Sequence, residues 1–551
     1  MPGLTAMRPG VTTIPDVLRA AAAEGVGAYV FHLEDGPISV ASAELAERAE
    51  RAARRLIAQG VEPGDTVGVL GPNRPEWLVA AHAIWMAGAT LVPGQIPLRI
   101  NDPDAFSEQQ RRLVEAAGCR LVLADPLLLP FLPDGYGVEW GEGGEASGEE
   151  PAGPAAGDVA VIQFTSGSTA MPKGVLIGHD AVVAQLNLLY DHYYYEGVRH
   201  STVSWAPFFH DLGLIASVVL PPFTRSTVEL LPTELFARDP ASWLRLIEAT
   251  RGVGTLGPST AFGSALRAAR RRGERPDLSS LDVAHFAAEG VDPDVAMRLG
   301  EEGRDFGLRP EALGSTYGLA EAVLGVAYSA KGGGMRVDRI SLDGLARAGE
   351  AVPSDTGATR AMVSCGRPVM ELRIADADGA ALPARRVGQI LVRGRSLTSG
   401  YVGDSVPSPF DAEGWLHTGD MGYLADGELY VAGRAKDMLI VMGQNYYPED
   451  FEWAAGRVEG VRPGRCMAFS RPDGGEGIAL LVEPSDPAAD SAALAKTVTG
   501  AVRAAIGVAP DEVLVARRGA LEKTTSGKLR HAAMRQAYAS GRIPAATPPS
   551  G

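Results

Sequence analysis

The densest chemistry in the sequence is Thr165-Ser166-Gly167-Ser168-Thr169-Ala170-Met171-Pro172-Lys173-Gly174, which follows directly on the apolar residues 159–164. Hydroxyls, glycines and one lysine share a single turn. Small residues let backbone N–H groups and hydroxyls close around a polyphosphate, and the lysine brings a mobile positive charge, so the chemistry suits ATP. A nucleotide-triphosphatase loop would set Gly and Lys side by side with Ser or Thr after them. Here Pro172 precedes Lys173 and Gly174 follows it, so that motif does not apply. A second candidate is His210, set between the aromatic pair Phe208-Phe209 and Asp211-Leu212-Gly213. An imidazole there could orient an organic carboxylate, or it could be a hydrogen-bonded core histidine.

Other chemistries are poorly served. The remaining histidines show no H-E-x-x-H spacing, and Cys119, Cys365 and Cys466 lie far apart with no C-x-x-C pair. Neither a zinc site nor a disulfide framework is indicated, and a reducing cytoplasm is the expected compartment. Lys plus Arg number 51 against 67 Asp plus Glu, a net charge of −16, so no overall positive field exists to hold nucleic acid. Residues 77–93 form the longest apolar stretch, but it falls short of the ~18 uninterrupted residues of a membrane span. Residues 1–14 lack the apolar run of a secretory signal.

The elements that would position these residues read as an α/β chain. Leu45, Ala49, Ala53 and Leu56 recur at helical spacing over residues 42–60, and a strand is expected at 66–70. The alternation repeats as a helix over 104–117 and a strand at 119–124, while residues 77–93 read as a buried helix running into a strand. Residues 134–158 are rich in Gly, Ala, Pro and Glu without periodicity and are expected to be a surface loop, with 541–551 a frayed tail. Near Gly433 the pattern changes to a compact C-terminal unit.

Further blocks follow in a fixed order: Trp205-Ala206-Pro207-Phe208-Phe209-His210-Asp211-Leu212-Gly213, Ser315-Thr316-Tyr317-Gly318-Leu319-Ala320-Glu321 and Trp415-Leu416-His417-Thr418-Gly419-Asp420. Gly433-Arg434-Ala435-Lys436-Asp437 and Thr524-Thr525-Ser526-Gly527-Lys528-Leu529 complete them. With the loop at Thr165, this sequence resembles the adenylate-forming superfamily of acyl-CoA ligases, luciferases, adenylation domains and fatty acyl-AMP ligases over nearly its whole length. The resemblance implies a multidomain α/β fold, with a large N-terminal domain of α/β subdomains over 1–433 and a small mobile α+β lid over 434–551. It also implies attack of a carboxylate on the α-phosphorus of ATP.

Roles follow from the same resemblance. Thr165, Ser166, Gly167, Ser168, Thr169 and Lys173 would hold the phosphates, with Thr316 as a further phosphate contact. Tyr317 beside Gly318 would stack on adenine. Asp420 would take the ribose hydroxyls, Arg434 would add a donor, and Glu321 would hold Mg²⁺. Lys528 would reach from the lid to the reacting groups, His210 would orient the acid, and Lys436 would be the hinge.

Asn445-Tyr446-Tyr447-Pro448-Glu449-Asp450 is more similar to fatty acyl-AMP ligases than to acyl-CoA ligases, and residues 330–359 are the candidate for the segment that subfamily inserts. The implied substrate is a fatty acid, and the implied acceptor is the phosphopantetheine thiol of an acyl carrier protein. An acyl-CoA or aryl-CoA ligase and a non-catalytic nucleotide- or acyl-binding protein are the competing readings. Arg267, Arg270, Arg271, Arg272 and Arg275, or Arg517 and Arg518, could dock an acidic carrier, although arginine runs are more often solvated faces. Ala206, Phe208-Phe209 and Ala288-Glu289-Gly290 depart from the subfamily's usual wording. These departures bear on the shape of the acyl pocket and leave the phosphate residues untouched.

Overall fold

The structure, a computed structural model, describes residues 10–141, 148–165, 173–193, 201–403, 406–471, 477–522 and 529–546. The helix Ser42–Ala58 buries Leu45, Ala49, Ala53 and Leu56 on one stripe, as the spacing predicts. Pro103–Ala117 is stopped at both ends by local chemistry: the Asp102 side chain accepts from Ala105 N, and Gly118 closes the helix in the left-handed region. Pro75–Met86 is buried at every position but Glu76 and leads into the strand Thr90–Pro93.

Among the described residues, two large sheets organise the N-terminal part. One has seven strands in the order Gly400–Tyr401, Lys173–Gly178, Val159–Thr165, Thr90–Pro93, Thr66–Leu70, Leu121–Ala124 and Gly137–Glu139. The other has nine, with the parallel strands Thr227–Leu230, Ser201–Ser204, Gly254–Gly257, Val283–Phe286 and Leu313–Tyr317 at its centre. A single apolar cluster joins them. It takes Val67, Leu91 and Val161 from the first sheet, Tyr29, Phe31 and Val228 from the second, and Trp77 and Trp85 from the helix between. Strands that run the same way in packed sheets bring their carboxyl ends, and the loops after them, to one edge.

The rest of the chain is smaller and more antiparallel. A four-stranded sheet contains Leu416–Ala425 and Glu428–Arg434, and a three-stranded sheet of Val461–Ser470, Ile478–Pro484 and Glu512–Val515 carries the helices Pro448–Gly456 and Ser491–Ile506. The expected α/β multidomain architecture is therefore the observed one.

Two segments differ from expectation or add to it. Residues 134–158 are not wholly loop: Gly137–Glu139 pairs in parallel with Leu121–Ala124 at the sheet edge, and Trp140 is buried. A three-residue edge strand is too short to show alternation. Residues 330–359 contribute the strand Val337–Ser341, which pairs with Thr359–Val363. Ile340, Leu345, Ala351 and Met362 of this hairpin region share one apolar cluster with Tyr446, Phe451, Leu480 and Val498. Residues Ile340, Leu345 and Ala351 thus pack into a core shared with the C-terminal part of the chain.

Candidate active site

The phosphate-loop candidate begins and ends on antiparallel strands, with Thr165 opposite Lys173 at the mouth of the hairpin. Ser166, Gly167, Ser168 and Thr169 lie outside the described residues. Lys173 is exposed, and its Nζ stands 4.8 Å above the Tyr401 ring. The Tyr401 hydroxyl in turn donates to Glu321 Oε1 at 2.9 Å. Burial, and then the Glu321 charge, pushes the Tyr401 phenol well above its usual range, so it remains a donor. Lys173, Tyr401 and Glu321 therefore form a line from the loop to the carboxylate expected to hold Mg²⁺.

The nucleoside candidates converge from three strands. Thr316 and Tyr317 end Leu313–Tyr317, and Asp420 faces Arg434 across the pair Leu416–Ala425 and Glu428–Arg434. The buried Tyr317 hydroxyl donates to Asp420 Oδ2 at 2.7 Å, and Arg434 Nε lies 3.2 Å from Oδ1. Asp420 is already partnered on both oxygens, and each oxygen retains a lone pair for a ribose hydroxyl. The Asp420 charge raises the Arg434 guanidinium further above its usual range. Gly318 has no room for a side chain, because a Cβ there would sit 1.8 Å from the Leu324 carbonyl oxygen.

His210 caps the short helix Asp211–Gly213, and its Nδ1 lies 2.6 Å from Asp211 Oδ1. The turn that carries it is braced from outside. Asn73, which is buried, donates through Nδ2 to the Ala206 carbonyl and accepts from Phe208 N, each at 2.9 Å. Gln163 donates through Nε2 to the Phe209 carbonyl at 2.9 Å. At Gly213 the helix passes so close to the Pro207 carbonyl that a Cβ would lie 2.0 Å from its oxygen.

Lys436 stands in the single turn Ala435–Asp437 after the last strand of the four-stranded sheet, and burial lowers its ammonium pKa. Lys528 lies outside the described residues; Leu529, Arg530 and His531 after it line the cleft described next.

One cleft of about 1370 Å³ collects these groups: Thr165, His210, Thr316, Tyr317, Gly318, Glu321, Asp420, Arg434 and Lys436 all line it. It opens at the carboxyl ends of both large sheets, and the apolar residues Phe209, Ala216, Leu256 and Val253 also line it. The arrangement can hold a nucleoside on Tyr317 and Asp420, phosphates between Lys173 and Glu321, and an organic acid beside His210. No group of three or more His, Cys, Asp or Glu able to hold a metal ion occurs among the described residues. A lone carboxylate still suits Mg²⁺, which keeps several waters and takes its other ligands from phosphates.

Sequence reasoning missed Tyr401, Asn73, Gln163 and Arg360. Only the position of Gln163, two residues before the loop, was a signal. Arg360 Nε pairs with Asp450 Oδ1 at 2.8 Å, both 5% exposed, and links Thr359–Val363 to the first turn of Pro448–Gly456. Two arginines of the run are paired in place: Arg270 with Glu302 and Asp305, and Arg272 with Asp239. No helix among the described residues is long and apolar enough to cross a membrane.

Residues 19–402 match the family of AMP-binding enzymes. A putative ligase of Mycobacterium tuberculosis is 36% identical, over 90% of this chain and 94% of its own. A putative acyl-CoA synthetase of Caulobacter vibrioides is 32% identical, over 96% of each chain. A solved structure from a study of fatty acyl-adenylate ligases of E. coli and L. pneumophila superposes with a TM-score of 0.88 at 29% identity, covering 97% of this chain and 99% of that one. The match across most of the chain and the shared fold place the protein among the AMP-binding, adenylate-forming enzymes, and within them it most resembles the fatty acyl-AMP ligases.

Proposed function

We propose that the protein activates a fatty acid with ATP and passes the acyl group to the phosphopantetheine thiol of an acyl carrier protein. The acid's carboxylate oxygen attacks the α-phosphorus, the bond to the β,γ-phosphates breaks, and pyrophosphate leaves with its electron pair. The thiolate then attacks the acyl carbon of the adenylate and AMP departs. The observation that carries the reading is the convergence of His210, Glu321, Tyr317 and Asp420 on one cleft that Phe209, Ala216 and Leu256 also line.

Each residue has a task that its surroundings support. Tyr317 and Asp420 fix the nucleoside, and Arg434 compensates the buried aspartate charge. His210, held by its braced turn, orients the acid carboxylate for in-line attack. Lys173 and the lysine at 528 supply positive charge where oxygen charge accumulates in the transition state. Bound Mg²⁺ would neutralise phosphate charge, and Glu321 would hold it through the oxygen not engaged by Tyr401. We take residues 434–551 as the lid, turning about Lys436, and residues 330–359 as a restraint on it through the Arg360–Asp450 pair. That restraint favours a carrier-borne thiol over free CoA. Three unpaired cysteines suit a reducing cytoplasm.

The test is incubation with ATP, Mg²⁺ and a panel of fatty acids, with either CoA or a phosphopantetheinylated carrier protein, and identification of products by mass spectrometry. Acyl-carrier product is expected. Abundant acyl-CoA would make the protein a CoA ligase, and no pyrophosphate release with any acid would overturn the reading.

A further inference from the structure

Glu321 sits on a turn that its own sequence disfavours. Ala320–Ala322 forms a single tight helical turn, and Val323 after it has φ 63° and ψ −51°. Leu324 N donates to the Ala322 carbonyl at 2.7 Å, so Val323 is the centre of a γ-turn of the rare positive-φ kind. A β-branched residue seldom adopts this conformation, because its Cβ crowds the backbone. Strain of this sort persists only where the surroundings over-determine it.

The surroundings that do so come from distant parts of the chain. Gln185, buried on the helix His179–Tyr193, turns its amide nitrogen to the Ala322 and Gly325 carbonyls, at 3.1 and 3.3 Å. Its amide oxygen then accepts from the Tyr328 hydroxyl at 2.9 Å, the orientation in which each contact joins a donor to an acceptor. Gly325 has no room for a side chain, since a Cβ would lie 1.8 Å from that hydroxyl. The buried Ser396 hydroxyl donates to the Ala322 carbonyl at 3.3 Å, and Thr398 N donates to the Glu321 carbonyl at 2.8 Å. Further along the same segment, Gly400 and Tyr401 pair with Leu176 and Val175 of the strand Lys173–Gly178, and Tyr401 reaches Glu321 Oε1. The turn of Glu321 is thus tied, through backbone and side chain, to the hairpin that carries Lys173.

Resting on the reading of Glu321 as the magnesium carboxylate, we propose that Gln185 and Ser396 are positioning residues. They hold the strained turn at Val323 and so keep the Glu321 carboxylate in register with the phosphate loop, ready for Mg²⁺. Without them the turn relaxes toward negative φ and the carboxylate moves. The nucleoside contacts stay, because Tyr317 and Asp420 are held by their own hydrogen bond. The loss therefore falls on the metal and spares the nucleoside.

The experiment measures, by calorimetry on the full chain, binding of α,β-methylene-ATP with and without Mg²⁺. The ratio of the two dissociation constants reports the metal contact and needs no turnover. Gln185→Leu, which keeps the buried volume, and Ser396→Ala, the smaller change, should each cut the tightening by Mg²⁺ about threefold to tenfold, with metal-free affinity within about twofold of the parent. Adding Val323→Gly to Gln185→Leu should restore part of the tightening, because glycine takes a positive φ without strain. General loosening would instead be deepened by the lost valine. Unchanged tightening in both single variants, equal weakening with and without metal, or a double variant no better than Gln185→Leu overturns the inference and leaves Glu321 as the metal carboxylate. Tightening that Glu321→Gln leaves intact overturns that reading of Glu321, and the inference with it.

Discussion

Asn73 illustrates how a residue far from any motif can govern one. It sits after the strand Thr66–Leu70 and holds the turn of His210 with two hydrogen bonds to backbone groups more than a hundred residues away in sequence. Asn73→Ala would orphan the buried Phe208 N–H and Ala206 carbonyl, a loss of about 1–3 kcal/mol for each group. Adenylation kcat should fall about tenfold to a hundredfold with little change in the KM for ATP, and initial-rate kinetics of pyrophosphate release would check this. At this scale much was legible. Types and spacing marked Thr165, Lys173 and His210 as chemically capable, and family resemblance supplied Glu321, Tyr317 and Asp420. Asn73 and Tyr401 were hidden because their partners are set by tertiary packing, which no local spacing encodes.

Among the elements, the hairpin built from Val337–Ser341 and Thr359–Val363 carries the most testable consequence. Arg360 also donates to the Ala432 carbonyl at 2.8 Å and lies over the Tyr447 ring at 5.0 Å, so the residue is clamped from three sides. Breaking one partner of a buried ion pair typically costs about 3–5 kcal/mol. Arg360→Ala should loosen residues 434–551, raise the yield of acyl-CoA relative to acyl-carrier, and speed proteolytic cleavage near Lys436. Product ratios by mass spectrometry and limited proteolysis would measure both effects, and unchanged ratios would count against the restraint. The family resemblance made residues 330–359 the candidate for an inserted stretch, but nothing in their alternation showed which core would receive Ile340 and Leu345. Long helices such as Ser42–Ala58 were readable because several turns repeat one pattern. The short edge strand at Gly137–Glu139 offered no such repetition.

Over the molecule as a whole, pH couples to the seam between the large sheets and the C-terminal core. Burial pushes the Glu449 carboxyl up to about 7, and its oxygen lies under Gly433 at the proposed lid boundary. The folded protein therefore binds this proton more tightly than the unfolded chain. Its contribution is complete below about pH 4.5 and is lost as pH rises through 7, by about 3 kcal/mol at most. The buried His82 and His285 act oppositely below pH 6.5, because burial lowers both to about 3. Comparing Glu449→Gln with the parent cancels that background. The variant should gain stability relative to the parent at pH 8 but not at pH 5, as read from denaturant midpoints at each pH.

The shared cluster of Ile340, Met362, Phe451 and Val498 also bears on how the protein can be dissected. A fragment ending at residue 433 would leave the greasy underside of the hairpin bare to solvent, and such a piece should precipitate or be captured by chaperones. Removing the hairpin from the same fragment should restore its solubility, which a comparison of the two truncations by size-exclusion chromatography would reveal.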